Sequence, residues 1–115
     1  MSLGSLSSVA NIALSGSDSQ AVPLGNQTLV GVFVPSLANS AAISLRNSPD
    51  GTNFYGVFDD AGEVTLATSG GGVYWAINPA DALGLTWIKV RTGTNASAVN
   101  QASALAFTLD IREKR

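Results

Sequence analysis

Between Ala104 and Ile111 large apolar side chains recur at every second position. Leu105, Phe107, Leu109 and Ile111 oppose Ala106, Thr108, Asp110 and Arg112. A period of two belongs to a strand with one face in a core and the other toward water. A one-residue slip would turn every large side chain outward, so this register is well specified. Shorter stretches carry the same alternation. Ala10, Ile12 and Leu14 predict a first strand; Ile43 and Leu45 oppose Ser44 and Arg46; Val73, Trp75 and Ile77 share a face. In Leu85–Thr92, Ile88 and Val90 point one way and Trp87, Lys89 and Arg91 the other. Thr28–Val34 is apolar on both faces (Val30, Val32 and Val34 against Leu29 and Phe33), which predicts a central strand or one covered by a neighbouring subunit. Pro35 is expected to close it, because proline cannot donate to a ladder.

Turn chemistry separates these runs every eight to twelve residues, the spacing of a sandwich or barrel. Ser15–Asp18 ends the first strand, and Gly25-Asn26 leads into the second long one. Ser48-Pro49-Asp50-Gly51 sets φ with its proline and accepts a positive φ at its glycine. Phe54–Phe58 and Glu63–Ala67 bracket Asp59-Asp60-Ala61-Gly62 as a hairpin. Asn78-Pro79-Ala80-Asp81 starts a helix and Gly84 stops it, leaving room for one turn. The predicted architecture is all-β: a two-sheet antiparallel β-sandwich in jelly-roll or Greek-key order, with about eight strands and at most one short helical turn. Residues 1–8, rich in Ser and Gly, read as a flexible arm, residues 9–112 as a single domain, and residues 113–115 as a short charged tail.

Composition narrows the function. Of 115 residues only 12% are charged and 45% are apolar, so Ser, Thr, Asn and Gln supply the polarity. A surface poor in Lys and Glu tolerates contact with another protein. The cations are Arg46, Lys89, Arg91, Arg112, Lys114 and Arg115, against eight acids and a net charge of −2. That is too few to hold a phosphate backbone, so nucleic acid is not an expected partner. The apolar run Leu29–Val34 is too short to span a bilayer, and the first residues carry no secretion signal.

The chain has no Cys and no His, which removes disulfides, thiolate metal sites and the Ser-His and Cys-His nucleophile systems. Lys89 has no Ser at a recognisable spacing, and an enzyme is not expected. Asp59, Asp60 and Glu63, with Asp50 in another loop, are the nearest approach to a calcium site. Their spacing matches no calcium-loop pattern and reads as turn chemistry; no metal or cofactor is expected. The Gly-rich stretch at residues 69–72 opens a strand and lacks the Lys-Ser/Thr ending of a phosphate loop. Tyr55, Tyr74, Trp75 and Trp87 could form a sugar-stacking platform, or pack as core and as cover for the Lys89 and Arg91 stems.

Several runs together resemble small accessory proteins that tailed bacteriophages and prophages encode among their virion structural genes. They are Leu24–Gly31 (LGNQTLVG), Ser48–Gly51 (SPDG), Phe58–Gly62 (FDDAG), Asn78–Asp81 (NPAD), Ile88–Gly93 (IKVRTG) and Val99–Ala102 (VNQA), spread over about Val22 to Leu109. The resemblance implies a β-sandwich capsid decoration (cement) protein. Such a protein would be made in the host cytoplasm, sit on the outer capsid, often as a trimer, and bridge major capsid subunits. A host-surface or glycan-binding module of a tail or head fibre is the alternative, and a head-to-tail connector a weaker one. The expected protein contacts are Trp87, Lys89 and Arg91 on one strand face and Leu3 and Leu6 in the arm.

Overall fold

The computed structural model describes residues 6–68 and 70–113. The strands in chain order are β1 (Leu6–Ile12), β2 (Val22–Pro23), β3 (Gln27–Ser36), β4 (Ile43–Ser48), β5 (Tyr55–Gly56), β6 (Phe58–Asp59), β7 (Gly62–Glu63), β8 (Thr65–Leu66), β9 (Gly71–Ala76), β10 (Trp87–Thr92) and β11 (Leu105–Glu113), with the helix α1 (Pro79–Ala82) between β9 and β10. They form two main antiparallel sheets. One has the order β1-β11-β3-β9, the other β2-β10-β4-β5 with β8 also on β4, and β6 pairs with β7 apart from both. Successive strands cross between the sheets in the manner of a jelly roll. The protein is a two-sheet antiparallel sandwich.

Among the described residues eleven strands replace the expected eight, and one interrupted edge accounts for the difference. β5 pairs with the far half of β4 (Asn47↔Tyr55) and β8 with its near half (Ile43↔Leu66). Between them the chain leaves as the β6–β7 hairpin, where Asp59 Oδ1 accepts from the Ala61 amide at 2.8 Å. Counted as one broken strand with a hairpin inserted, β5 and β8 restore the eight of a jelly roll.

The inner faces meet in a core of Ile12, Leu29, Val32, Ile43, Leu45, Ile88, Val90, Phe107 and Leu109, all inaccessible or nearly so, with Trp75 at its margin. Each such side chain contributes about 1.5–3 kcal/mol relative to exposure. The alternation of β11 holds throughout, with Leu105, Phe107, Leu109 and Ile111 all buried. Other expectations need correction. Leu14 lies beyond the end of β1 and is exposed. In β3 the partners shift between Asp110↔Gly31 and Ile111↔Leu29, so the bulge at Val30 puts Leu29 on the same inner face as Val32 and Val34. Phe33 is left outside, 51% exposed. Pro35 does not end β3: pairing with β11 stops at Phe33, and pairing with β9 continues to Ser36↔Gly71, so the missing amide costs no ladder bond. Leu6, Ser7 and Ser8 belong to β1, with Leu6 opposite Ile111, and are not part of an arm.

The punctuation residues act as their chemistry demands. Asn78 caps α1 by accepting from the Ala80 amide at 3.0 Å, with Pro79 in the first turn. Gly51 takes φ 79° at the end of its turn. Amide bonds from Asn53 and Thr52, then the Ser48 hydroxyl, hold the Asp50 carboxyl well below the ordinary aspartate range.

Candidate interaction face

The two outer sheet faces have opposite fates. On the β10 side, Trp87, Lys89 and Arg91 do share a face, but the chain covers it with its own residues 49–66. The Trp87 ring lies beneath Gly51, where an added Cβ would stand 3.1 Å from the indole. Lys89 Nζ sits 4.5 Å from the centre of the Phe54 ring. Arg91, only 6% exposed, donates to Ser44 Oγ at 2.9 Å and to Glu63 Oε2 at 2.8 Å. Glu63 also accepts from the Asn95 amide at 2.9 Å, and Ser44 Oγ donates to the Gly93 carbonyl at 2.8 Å. Arg46 on the same face pairs with Asp18 and reaches the Phe54 carbonyl. On this face Trp87 and Lys89 stay partly exposed, while Arg91 is buried and paired. Of the two arm residues, Leu3 lies outside the described residues. Leu6 is placed in β1, and its side chain is not among those described.

Among the described residues the β11 side has no such cover. Register aligns Val9 with Thr108, Thr108 with Phe33 and Phe33 with Tyr74, one row across all four strands. At ~4.8 Å per strand the row is about 14 Å long. Val9, Phe33 and Tyr74 are 42%, 51% and 45% exposed. Asn11 and Ala106 flank the row on one side, Asp110 and Ala76 on the other. Exposed apolar residues grouped in this way on a charge-poor surface mark contact sites more often than scattered ones do.

Tyr74 is held by its neighbours. Its ring meets Phe33 at 4.7 Å between centroids, tilted by 51°. It lies across Gly31 and donates its phenol to Asp110 Oδ2 at 2.9 Å. A Cβ at residue 31 would occupy the space of the phenol oxygen, so the glycine is what lets the ring cross β3. Desolvation first, then the Asp110 carboxylate, raise the Tyr74 pKa above the ordinary 10.0. A phenol with a raised folded value contributes stability that is complete below its unfolded pKa and is lost as pH rises through the folded one. Ultraviolet titration should therefore show a late-ionising phenol that disappears in Tyr74→Phe. That variant should also lose less stability than the parent above about pH 10; an identical alkaline limb in both would contradict the assignment.

The aromatic residues considered for sugar stacking do not converge. Trp75 is in the core, and Tyr74 lies on the outer face of the β11 sheet. Trp87 points outward on β10. Tyr55 opposes Asn47, which in turn opposes the inward-facing Ile88, and so points the other way. Tyr55 and Phe58 instead border a groove of about 480 Å³ with Pro49 and Asn47. The Asn47 amide there is already engaged, accepting from the Thr86 amide and donating to the Gly84 carbonyl. The acidic residues separate too. Glu63 faces Arg91, Asp50 closes its own turn, and Asp59 stands beside Asp81, whose pKa is raised by desolvation and then by Asp59. Among the described residues no three His, Cys, Asp or Glu side chains gather as metal ligands, and no helix is long and apolar enough to cross a membrane.

The same layout occurs in the crystal structure of the SPBc2 prophage-derived protein YomS. It aligns with a TM-score of 0.58 over 96% of this chain and 97% of that one, at 10% identity. The chain folds like a prophage-derived protein. CBM32-1 from a family 31 glycoside hydrolase of Clostridium perfringens aligns at TM-score 0.46 and 16% identity, covering 90% of this chain and 82% of that one. The Yersinia pseudotuberculosis-derived mitogen follows at TM-score 0.41 and 11% identity, covering 96% and 86%. No family model and no curated protein sequence matches the chain. At these identities the likeness is one of fold, and function has to come from the face itself.

Sequence reading missed this face because Val9, Phe33 and Tyr74 come from three distant segments. The available signal was Phe33, an aromatic set among the valines of β3, once the bulge at Val30 is allowed for.

Proposed function

We propose that the chain is a structural protein of a tailed-phage virion, a capsid decoration protein made in the host cytoplasm that associates with itself and binds the major capsid protein on the outer shell. The observation that carries this reading is the row Val9–Thr108–Phe33–Tyr74, uncovered among the described residues, on the four-stranded sheet. Support also comes from the fold shared with a prophage-derived protein and from the low charge of the chain. The buried polar side chains Ser44, Arg91 and Gln101 are bonded within the domain. The mechanism would be thermodynamic. A clamp that binds assembled subunits, and not separated ones, stabilises the shell by mass action.

The contact assigned at first to Trp87, Lys89 and Arg91 moves to Val9, Phe33 and Tyr74. Electron cryomicroscopy of particles assembled with the chain should show its density on the outer lattice. Phe33→Asp should abolish that density, and Trp87→Ala should not if the variant folds. Density confined to the tail, or unaffected by Phe33→Asp, would sink the capsid reading. A second reading, a glycan-binding module of a fibre, is favoured only by the exposed Tyr55 and Phe58 at their groove. A glycan-array signal lost in Tyr55→Ala would support it in place of the first.

A further inference from the structure

A β-sandwich has sheet edges whose unpaired amides and carbonyls invite another strand, and proteins block them with short strands, prolines, bulges or charges. Three of the edges here are blocked. On β1 the Gln20 side chain acts as a substitute strand: its Oε1 accepts from the Asn11 amide at 2.8 Å and its Nε2 donates to the Val9 carbonyl at 3.0 Å. In the other sheet β2 has two residues, one of them Pro23, and the opposite edge is split into β5 and β8 by the β6–β7 hairpin.

β9 is different. It is six residues long, Gly-Gly-Val-Tyr-Trp-Ala, with neither charge nor proline. Among the described residues it pairs with β3 alone. The Ile77 amide donates to the Val30 carbonyl, so in the same ladder Val73 and Trp75 bond toward β3, and the main-chain groups of Tyr74 and Ala76 face away from it. The Tyr74 ring leans back over Gly31 toward Asp110, away from that edge. Val73 and Tyr74 are both exposed apolar residues of this strand.

We infer that two copies of the chain pair through β9, antiparallel about a two-fold axis, joining their four-stranded sheets into one continuous sheet. The uncharged strand is compatible with itself, because no like charges meet across the axis. Gly72 takes φ 72°, away from extended backbone, so the register is centred on Trp75, with Tyr74 opposite Ala76 of the second copy and each exchanging both main-chain bonds. The large ring then meets a methyl group, and the exposed Val73 gains cover from Ile77 of the second copy. The row Val9–Thr108–Phe33–Tyr74 then runs on into Ala76, Gly31 and Asp110 of the second copy, and the two open faces become one. A stable interface needs about 800 Å² per partner, more than one short edge supplies, so the dimer is weak in dilute solution. This inference rests on the edge alone and holds whether or not the chain belongs to a virion.

The test is sedimentation velocity of the full chain from ~1 μM to ~1 mM, a range set by the affinity of small interfaces, with amide exchange measured at both ends. A reversible monomer–dimer equilibrium is expected, with exchange at Tyr74 and Ala76 slowed at least tenfold at high concentration. Ala76→Pro, which deletes an amide that β3 does not use, should leave a folded monomer throughout, as should Val73→Lys. If Ala76→Pro fails to fold, Val73→Lys decides. A monomer at every concentration, a trimer, or a dimer that Val73→Lys leaves intact would overturn the proposal.

Discussion

Arg91→Met should lower the stability of the domain by about 3–5 kcal/mol, the usual consequence of breaking a buried ion pair from one side. For a domain of this size that is a fall in melting temperature on the order of 10–20 °C. The size of the effect comes from what stays behind. The side chains of Arg91 and Glu63 are 7% and 14% exposed, so the orphaned carboxylate would keep only the Asn95 amide as partner. Removing both charges should be far milder. Arg91→Met with Glu63→Gln should recover most of the loss, because the low-dielectric setting that makes the pair strong also makes a lone charge costly. Thermal and urea melts of the parent, both single variants and the double variant would measure this. A loss under about 1 kcal/mol in Arg91→Met would mean the pair behaves as an exposed one, and that Glu63 does not pin the β6–β7 hairpin to the sheet.

Gly93→Ala should cost about 2–4 kcal/mol, combining backbone strain with overpacking. Gly93 has φ 106°, a region L side chains rarely enter. A Cβ there would stand 2.5 Å from the Ser97 carbonyl oxygen and 2.7 Å from both Ala98 Cα and the Val99 nitrogen. All three are backbone atoms, so no rotamer change relieves the clash. The Gly93 amide donates to the Ala42 carbonyl at 2.7 Å, and its carbonyl accepts from Ser44, the residue that also holds Arg91. The two substitutions therefore share a partner, and combined they should cost less than the sum of their separate effects. Denaturant midpoints for Gly93→Ala alone and with Arg91→Met would show it; strict additivity would indicate that Ser44 does not link them.

These residues also show where the sequence was informative. The alternation of β11 told its own register, because four large side chains at period two admit one burial pattern. The cap at Asn78 and the turn at Pro49–Gly51 were legible for a similar reason: each depends on chemistry within a few residues. What escaped depended on distant partners. The alternation of Trp87, Lys89 and Arg91 identified a common face correctly, yet nothing local says that Phe54 and Glu63 fold back over it. The bulge at Val30 brought Leu29 to the side of Val32 and Val34, so β3 buries one face where the alternation read as apolar on both. Gln20 carries no local signal of its role as edge cover, which appears only when β1 is placed beside it.

β11 lies between β1 and β3, so the first strand of the sandwich has no neighbour within its sheet until the last one arrives. While residues 105–113 are still inside the ribosome, the emerging chain can close the β4–β10 ladder but must hold β1 and β3 apart. Completion is then a late, all-or-none step governed by long-range closure, slower than for helical proteins of equal size. Until that step, nascent polypeptides crowded along one messenger expose unpaired apolar strands, the condition in which chaperones matter most.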